Sequence, residues 1–171
     1  MNEKAVLMNA ERTGAGLKAE AASTHLRRIG RTVATAESCT GGLLGKLITD
    51  NPGVSEIYLG GAVCYSNESK VRLIGVSEHT IAEHGAVSWE TAEEMAAGIR
   101  NKLGADIGVS TTGIAGPGGG TEKKPVGLVY VGVCDEKGVR SHELRFDSCL
   151  SRDEIRNRTA EFVFTILSDS E

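Results

Sequence analysis

The sequence predicts a layered α/β domain built around a mixed sheet. Three observations carry that expectation. Segments of helical and strand period alternate along the chain. Glycines and capping serines punctuate the boundaries between them. One late pair of strands is joined by a short polar turn. The chain has 171 residues, enough for one ordinary domain with a real core, and it shows no internal repeat and no dividing linker.

Residues 1–15 have weak periodicity and are read as a poorly ordered N-terminal segment, which leaves residues 16–171 as a single domain. Leu17, Ala21, Leu26 and Ile29 mark the face of a helix that Gly30 ends. Thr32 to Ala36 is the expected first strand. It runs directly into Glu37-Ser38-Cys39-Thr40-Gly41-Gly42, after which Leu43, Leu44, Leu47 and Ile48 share a helical face. Asn51-Pro52-Gly53 stops that helix. A second strand lies within Tyr58 to Tyr65, and a helix beginning near Asn67 carries Lys70. Ser88 is placed to cap a longer helix from Trp89 to Leu103, with Gly104 just past its end. Asp106 to Thr112 reads as a third strand, leading into a glycine-rich loop from Gly113 to Gly120. Val126 to Cys134 is a fourth strand, and Asp135-Glu136-Lys137-Gly138 turns it into Val139 to Phe146. Ser151-Arg152-Asp153-Glu154 has the spacing of a capping box, and Ile155, Thr159, Phe162 and Ile166 mark the last helix.

Composition narrows the function classes. Hydrophobic residues make up 40% but aromatics only 4%, so the core is expected to be built from Ala, Val, Ile and Leu. The formal net charge of −4 supplies no overall basic surface, so nucleic acid is not an expected partner. No apolar run approaches the roughly 18 residues of a membrane span, and no signal peptide is read, so a cytoplasmic location is expected. Cys39, Cys64, Cys134 and Cys149 are widely spaced and are expected to be free, mostly buried thiols. His25, His79, His84 and His142 form no ligand cluster, so no metal site is expected.

Three segments could carry chemistry. Ser38 sits where a strand meets a helix N-terminus, a position that suits a nucleophile and equally suits a plain capping serine. Cys39 beside it is a rival nucleophile, whose thiol a helix N-terminus would acidify. Lys70 can serve as base for Ser38 if desolvation lowers its pKa, and Tyr65 near the same strand end can relay or position the proton; each is also an ordinary helix or strand residue. The loop from Gly113 to Gly120 follows a strand, where α/β ligands usually bind, yet matches no standard phosphate-loop pattern. Lys123, Lys124 and Arg152 could add positive charge there, or be solvated surface cations.

Taken together, the segments are more specific than any one of them. Ala34-Thr35-Ala36-Glu37-Ser38-Cys39-Thr40-Gly41-Gly42 resembles the opening motif of the CinA C-terminal-domain family. Gly61-Ala62-Val63-Cys64-Tyr65-Ser66-Asn67 through Lys70, followed by Ile74-Gly75-Val76, resembles its second motif. His84-Gly85-Ala86-Val87-Ser88 resembles a third, and Gly113-Ile114-Ala115-Gly116-Pro117 with Lys124-Pro125-Val126-Gly127 a fourth. The likeness runs in order over roughly residues 16 to 167.

The resemblance implies a three-layer α/β/α sandwich with a mixed, mostly parallel sheet. It also implies a stand-alone deamidase that hydrolyses the carboxamide of nicotinamide mononucleotide, giving nicotinate mononucleotide and ammonia. Ser38 would be the nucleophile, Lys70 the base and Tyr65 its assistant, with no cofactor. The oxyanion would be met by backbone amides around Thr40 to Gly42. Thr40, Gly41, Gly42, Asn67, Thr112, Gly113, Gly116 and Arg152 would contact substrate. The match at Arg152 departs from the family pattern: the segment from Phe146 to Arg152 is longer and lacks the family's glycine. A binding module of the same fold and an amidase for another amide remain as alternatives. A symmetric dimer is the base-rate expectation.

Overall fold

The computed structural model describes residues 14–170. Helix α1 (Gly14–Ile29) leads into β1 (Val33–Glu37), α2 (Leu43–Thr49), a single 3-10 turn (Val54–Glu56) and β2 (Tyr58–Val63). Then come α3 (Asn67–Ile74), α4 (Glu78–His84), α5 (Trp89–Leu103), β3 (Ile107–Gly113), β4 (Leu128–Asp135), β5 (Gly138–Arg145) and α6 (Arg152–Ser168). The strands lie in the order β2-β1-β3-β4-β5. β1 pairs parallel with β2 and with β3, whereas β3–β4 and β4–β5 are antiparallel. β4 therefore runs against the other strands, and the sheet is mixed with most strands pointing one way.

Side chains alternate across this sheet and build two cores. Val33, Val109, Val131 and Val133 face a larger core completed by Leu26 of α1, Leu44 of α2 and Phe164 of α6. Ala34 and Ala36 face a smaller one with Met95 and Ile99 of α5 and Ile74 of α3. The result is the expected three-layer α/β/α sandwich. On the second face α5 lies almost on the sheet. A Cβ at Gly108 would sit 2.1 Å from the Ala96 carbonyl oxygen, and one at Gly132 2.2 Å from that of Ala92. Only glycine allows that approach.

Local signals set most boundaries. Ser88 accepts a hydrogen bond from the Thr91 amide and Gly104 closes α5 with φ 67°. Ser151 and Glu154 form the capping box of α6. Two helical faces differ from expectation. In α1, Leu17 is 54% exposed and Ala21 also faces solvent, while Ala15, Ala19, Ala22 and Leu26 are buried. The small residues win because α1 packs along α6, where alanines permit close contact. In α6, Phe162 and Ile166 are only half-buried, and Val163, Phe164 and Leu167 fill the core. Helix α4 was not foreseen. It has seven residues and buries only Thr80, too little apolar periodicity to be seen. Its Thr80 hydroxyl and the Ser77 amide bond to Glu94 of α5. The expectation for residues 1–15 falls outside the described residues, apart from Gly14 and Ala15, which already belong to α1.

Cys39, Cys64 and Cys134 are buried and Cys149 is exposed, and all four are free. Among the described residues no helix is long and apolar enough to cross a membrane.

Candidate active site

The parallel strands β1, β2 and β3 end at one edge of the sheet, as ligand sites of α/β folds require. A cavity of about 270 Å³ opens there, with Ser38, Lys70, Tyr65, Thr112 and Arg152 in its lining. Ser38 directly follows β1, and its amide donates to the Thr111 carbonyl at 2.9 Å, so the neighbouring strand fixes its backbone. It does not cap α2. The residue at the cap position is Gly42, which has no side chain to cap with.

That cap comes from Glu37. Its carboxylate is buried and accepts from the amides of Gly42 (2.9 Å), Leu44 (3.0 Å) and Gly45 (2.8 Å). It also accepts from the Thr40 hydroxyl at 2.7 Å. Because that hydroxyl proton goes to Glu37, the 2.7 Å contact between Thr40 and Thr111 has Thr111 as donor. Gly41 and Gly42, with φ 60° and 95°, let the chain turn tightly enough for this to happen.

Lys70 reaches Ser38 from α3. Its side chain is 1% exposed, and Nζ lies 3.1 Å from Ser38 Oγ, 2.9 Å from the Cys64 carbonyl and 3.2 Å from the Tyr65 carbonyl. None of these acceptors is a carboxylate. Burial lowers the Lys70 pKa from its ordinary 10.5. Carbonyls can only accept, so a neutral amine gives its two N–H groups to Cys64 and Tyr65. Its lone pair is then left facing the Ser38 hydroxyl.

The other predicted residues divide into two groups. Asn67, Thr112, Gly113, Gly116 and Arg152 line the cavity. Thr112 is buried and donates to the Ala86 carbonyl at 2.6 Å. Arg152 opens α6 and bonds the Gly116 carbonyl at 2.7 Å and the Tyr65 hydroxyl at 2.8 Å. The Tyr65 phenol therefore meets Arg152, and what Tyr65 offers Lys70 is its carbonyl. Thr40, Gly41 and Gly42 do not line the cavity. They build the turn beneath it, and the Gly41 and Gly42 amides are spent on the Ser38 carbonyl and on Glu37. Lys124 donates to the carbonyls of His84 and Val87, each at 2.7 Å, which ties the segment after the glycine loop to the connection between α4 and α5.

Cys39 is free and buried, as expected of these cysteines, and not the acidified rival nucleophile. It is 6% exposed, and burial pushes its thiol up to about 12. Desolvation outweighs the helix end, which Glu37 already occupies, so the thiol stays protonated at neutral pH. Two residues that sequence reasoning missed hold the turn. One is Glu37, which stood inside the first motif next to Ser38. The other is Arg156, whose Nε and Nη2 both donate to the Thr40 carbonyl, at 3.0 and 2.7 Å. Its spacing from Arg152, one helical turn, was the available signal.

Known proteins share this arrangement of elements. The model of the CinA C-terminal domain matches residues 17–170. A CinA-like protein of Synechocystis is 53% identical over 136 residues, 79% of this chain and 33% of that protein, so the chain spans about a third of that relative's length. The structure of the competence/damage inducible protein CihA from Agrobacterium tumefaciens aligns with a TM-score of 0.88 at 38% identity, covering 93% of this chain and 98% of that one. A CinA superfamily protein from Klebsiella pneumoniae aligns with a TM-score of 0.86 at 29% identity, over 91% of this chain and 96% of that one. The chain belongs to the CinA C-terminal domain family.

Proposed function

We propose that the protein hydrolyses the carboxamide of nicotinamide mononucleotide to nicotinate mononucleotide and ammonia, by acyl transfer through Ser38. The observation that carries this reading is the buried Lys70 amine, held 3.1 Å from Ser38 Oγ with no carboxylate partner. Neutral Lys70 takes the Ser38 proton directly, and the serine oxygen attacks the carboxamide carbon. The C–N bond breaks, and the proton held on Lys70 leaves with ammonia. Water then cleaves the acyl ester and restores Ser38, with Lys70 again accepting the proton. Tyr65 orients Lys70 through its carbonyl and Arg152 through its hydroxyl.

The lining supports an anionic substrate. With Lys70 neutral, it contains Arg152 as a cation and no Asp or Glu. The pyridine carboxamide fits beside Ser38, and Arg152 with the glycine loop meets the ribose phosphate.

The test is to incubate purified protein with nicotinamide mononucleotide and measure ammonia and nicotinate mononucleotide, with Ser38→Ala in parallel. Turnover that vanishes in the variant is the expected result. Full turnover by Ser38→Ala would remove the mechanism, and a folded but inactive parent would put a binding role first.

A further inference from the structure

The proposed reaction develops negative charge on the carboxamide oxygen, and something must receive it. The amides at the start of α2 are the obvious donors, but Gly42, Leu44 and Gly45 already give theirs to Glu37. The Gly41 amide goes to the Ser38 carbonyl. The protein's own carboxylate has sealed that helix end.

The register of β3 shows another donor. Backbone groups of successive strand residues turn to opposite neighbours. The Thr111 carbonyl faces β1, because it accepts from Ser38. The Ile114 amide faces β4, because it donates to the Leu128 carbonyl. Gly113, two residues after Thr111 and one before Ile114, therefore turns its N–H toward the β1 side. β1 has already ended at Glu37, and the Ser38 carbonyl that would continue the ladder is taken by Gly41. Among the described residues the Gly113 N–H meets no acceptor, although it belongs to a strand and lines the cavity with Ser38. Backbone donors at such a position are rarely left unpaired without a purpose.

We infer that the Gly113 N–H is an oxyanion donor of this site. The inference rests on the serine reading above. Close packing explains the residue type: a Cβ here would lie 2.7 Å from both the Leu128 carbonyl oxygen and Val129 Cγ2. Gly113 thus brings no side chain to the cavity that it lines together with Ser38.

Pyridine-3-boronic acid is the probe. The Ser38 oxygen bonds to boron as its O–H bond breaks and the proton passes to Lys70, and boron, keeping its ring carbon and both hydroxyl groups, becomes a tetrahedral anion. In protein labelled at glycine nitrogen, the Gly113 amide proton should move downfield and exchange more slowly in the adduct. The Gly42 and Gly45 amides should stay where they are, and Ser38→Ala should abolish the change. An adduct on Ser38 that leaves Gly113 unmoved while Gly42 or Gly45 shifts would overturn the inference and spare the serine reading. Failure to form any Ser38 adduct, seen by boron resonance and mass spectrometry, would overturn both.

Discussion

Two ionisable side chains are almost fully buried on either side of Ser38, and the fold surrounds them in opposite ways. Glu37 is 2% exposed and receives four donors, three of them amides of one helix start. Lys70 is 1% exposed and is given two carbonyls and a hydroxyl, with no opposite charge. A carboxylate so provided is held in one place, and the groups bonded to it are held with it. An amine so deprived is driven toward its neutral form. One group fixes the turn that presents the serine, and the other is free to exchange a proton with it.

The largest expected effect separates the two. Lys70→Met should cut turnover by at least ~10²-fold, while its thermal midpoint holds or rises because a buried amine without a counter-charge is gone. A variant that is active, or that melts far below the parent, would break the contrast. In the wild type, kcat/KM should rise with pH up to the folded pKa of Lys70, which lies below its ordinary 10.5. Stability carries the same sign. Between the lowered folded value and 10.5 the unfolded chain binds the proton that the folded chain has lost, so stability increases with pH across that window. Urea melts across the window should show this slope in the parent and lose it in Lys70→Met.

Glu37→Gln should act the other way, costing about 2–4 kcal/mol of stability because an amide NH₂ would face amide donors. Turnover should fall with little change in KM, since Glu37 touches the turn and not the cavity. Smallest is Arg156→Lys, which keeps the charge but loses the double contact with the Thr40 carbonyl, at about 0.5–1 kcal/mol. A larger loss than that of Glu37→Gln would shift the burden of holding the turn from β1 to α6.

Much of the fold could be read from single stretches of chain. Ser88 and Gly104 bound α5, the Ser151–Glu154 box starts α6, and Gly30 ends α1, because caps are interactions within a few residues. The face of α1 was misread because alanine adds little to a hydrophobic count yet packs closely against α6. The burial of Cys39 follows from its residue type, but the loss of its acidity does not. The helix end that would acidify Cys39 was visible, but its occupation by Glu37 and the depth of burial were not.

The site shows the same division. Residue types and motif order pointed to Ser38, Lys70 and the glycine loop before any contact was known. The contacts themselves are tertiary. Ser38 and Lys70 stand 32 positions apart, and they meet because β2 lies beside β1 and ends at the same edge. Arg156 and Thr40 stand 116 apart, and they meet because α6 returns across the first face of the sheet. By itself the sequence determined the elements, their caps and the inventory of reactive groups, since these depend on local bonding and on residue chemistry. Only the tertiary structure decided which hydroxyl faces the amine, which carboxylate seals the helix end and which amide is left without a partner. Those outcomes depend on strand order, register and burial, and no short stretch of chain contains them.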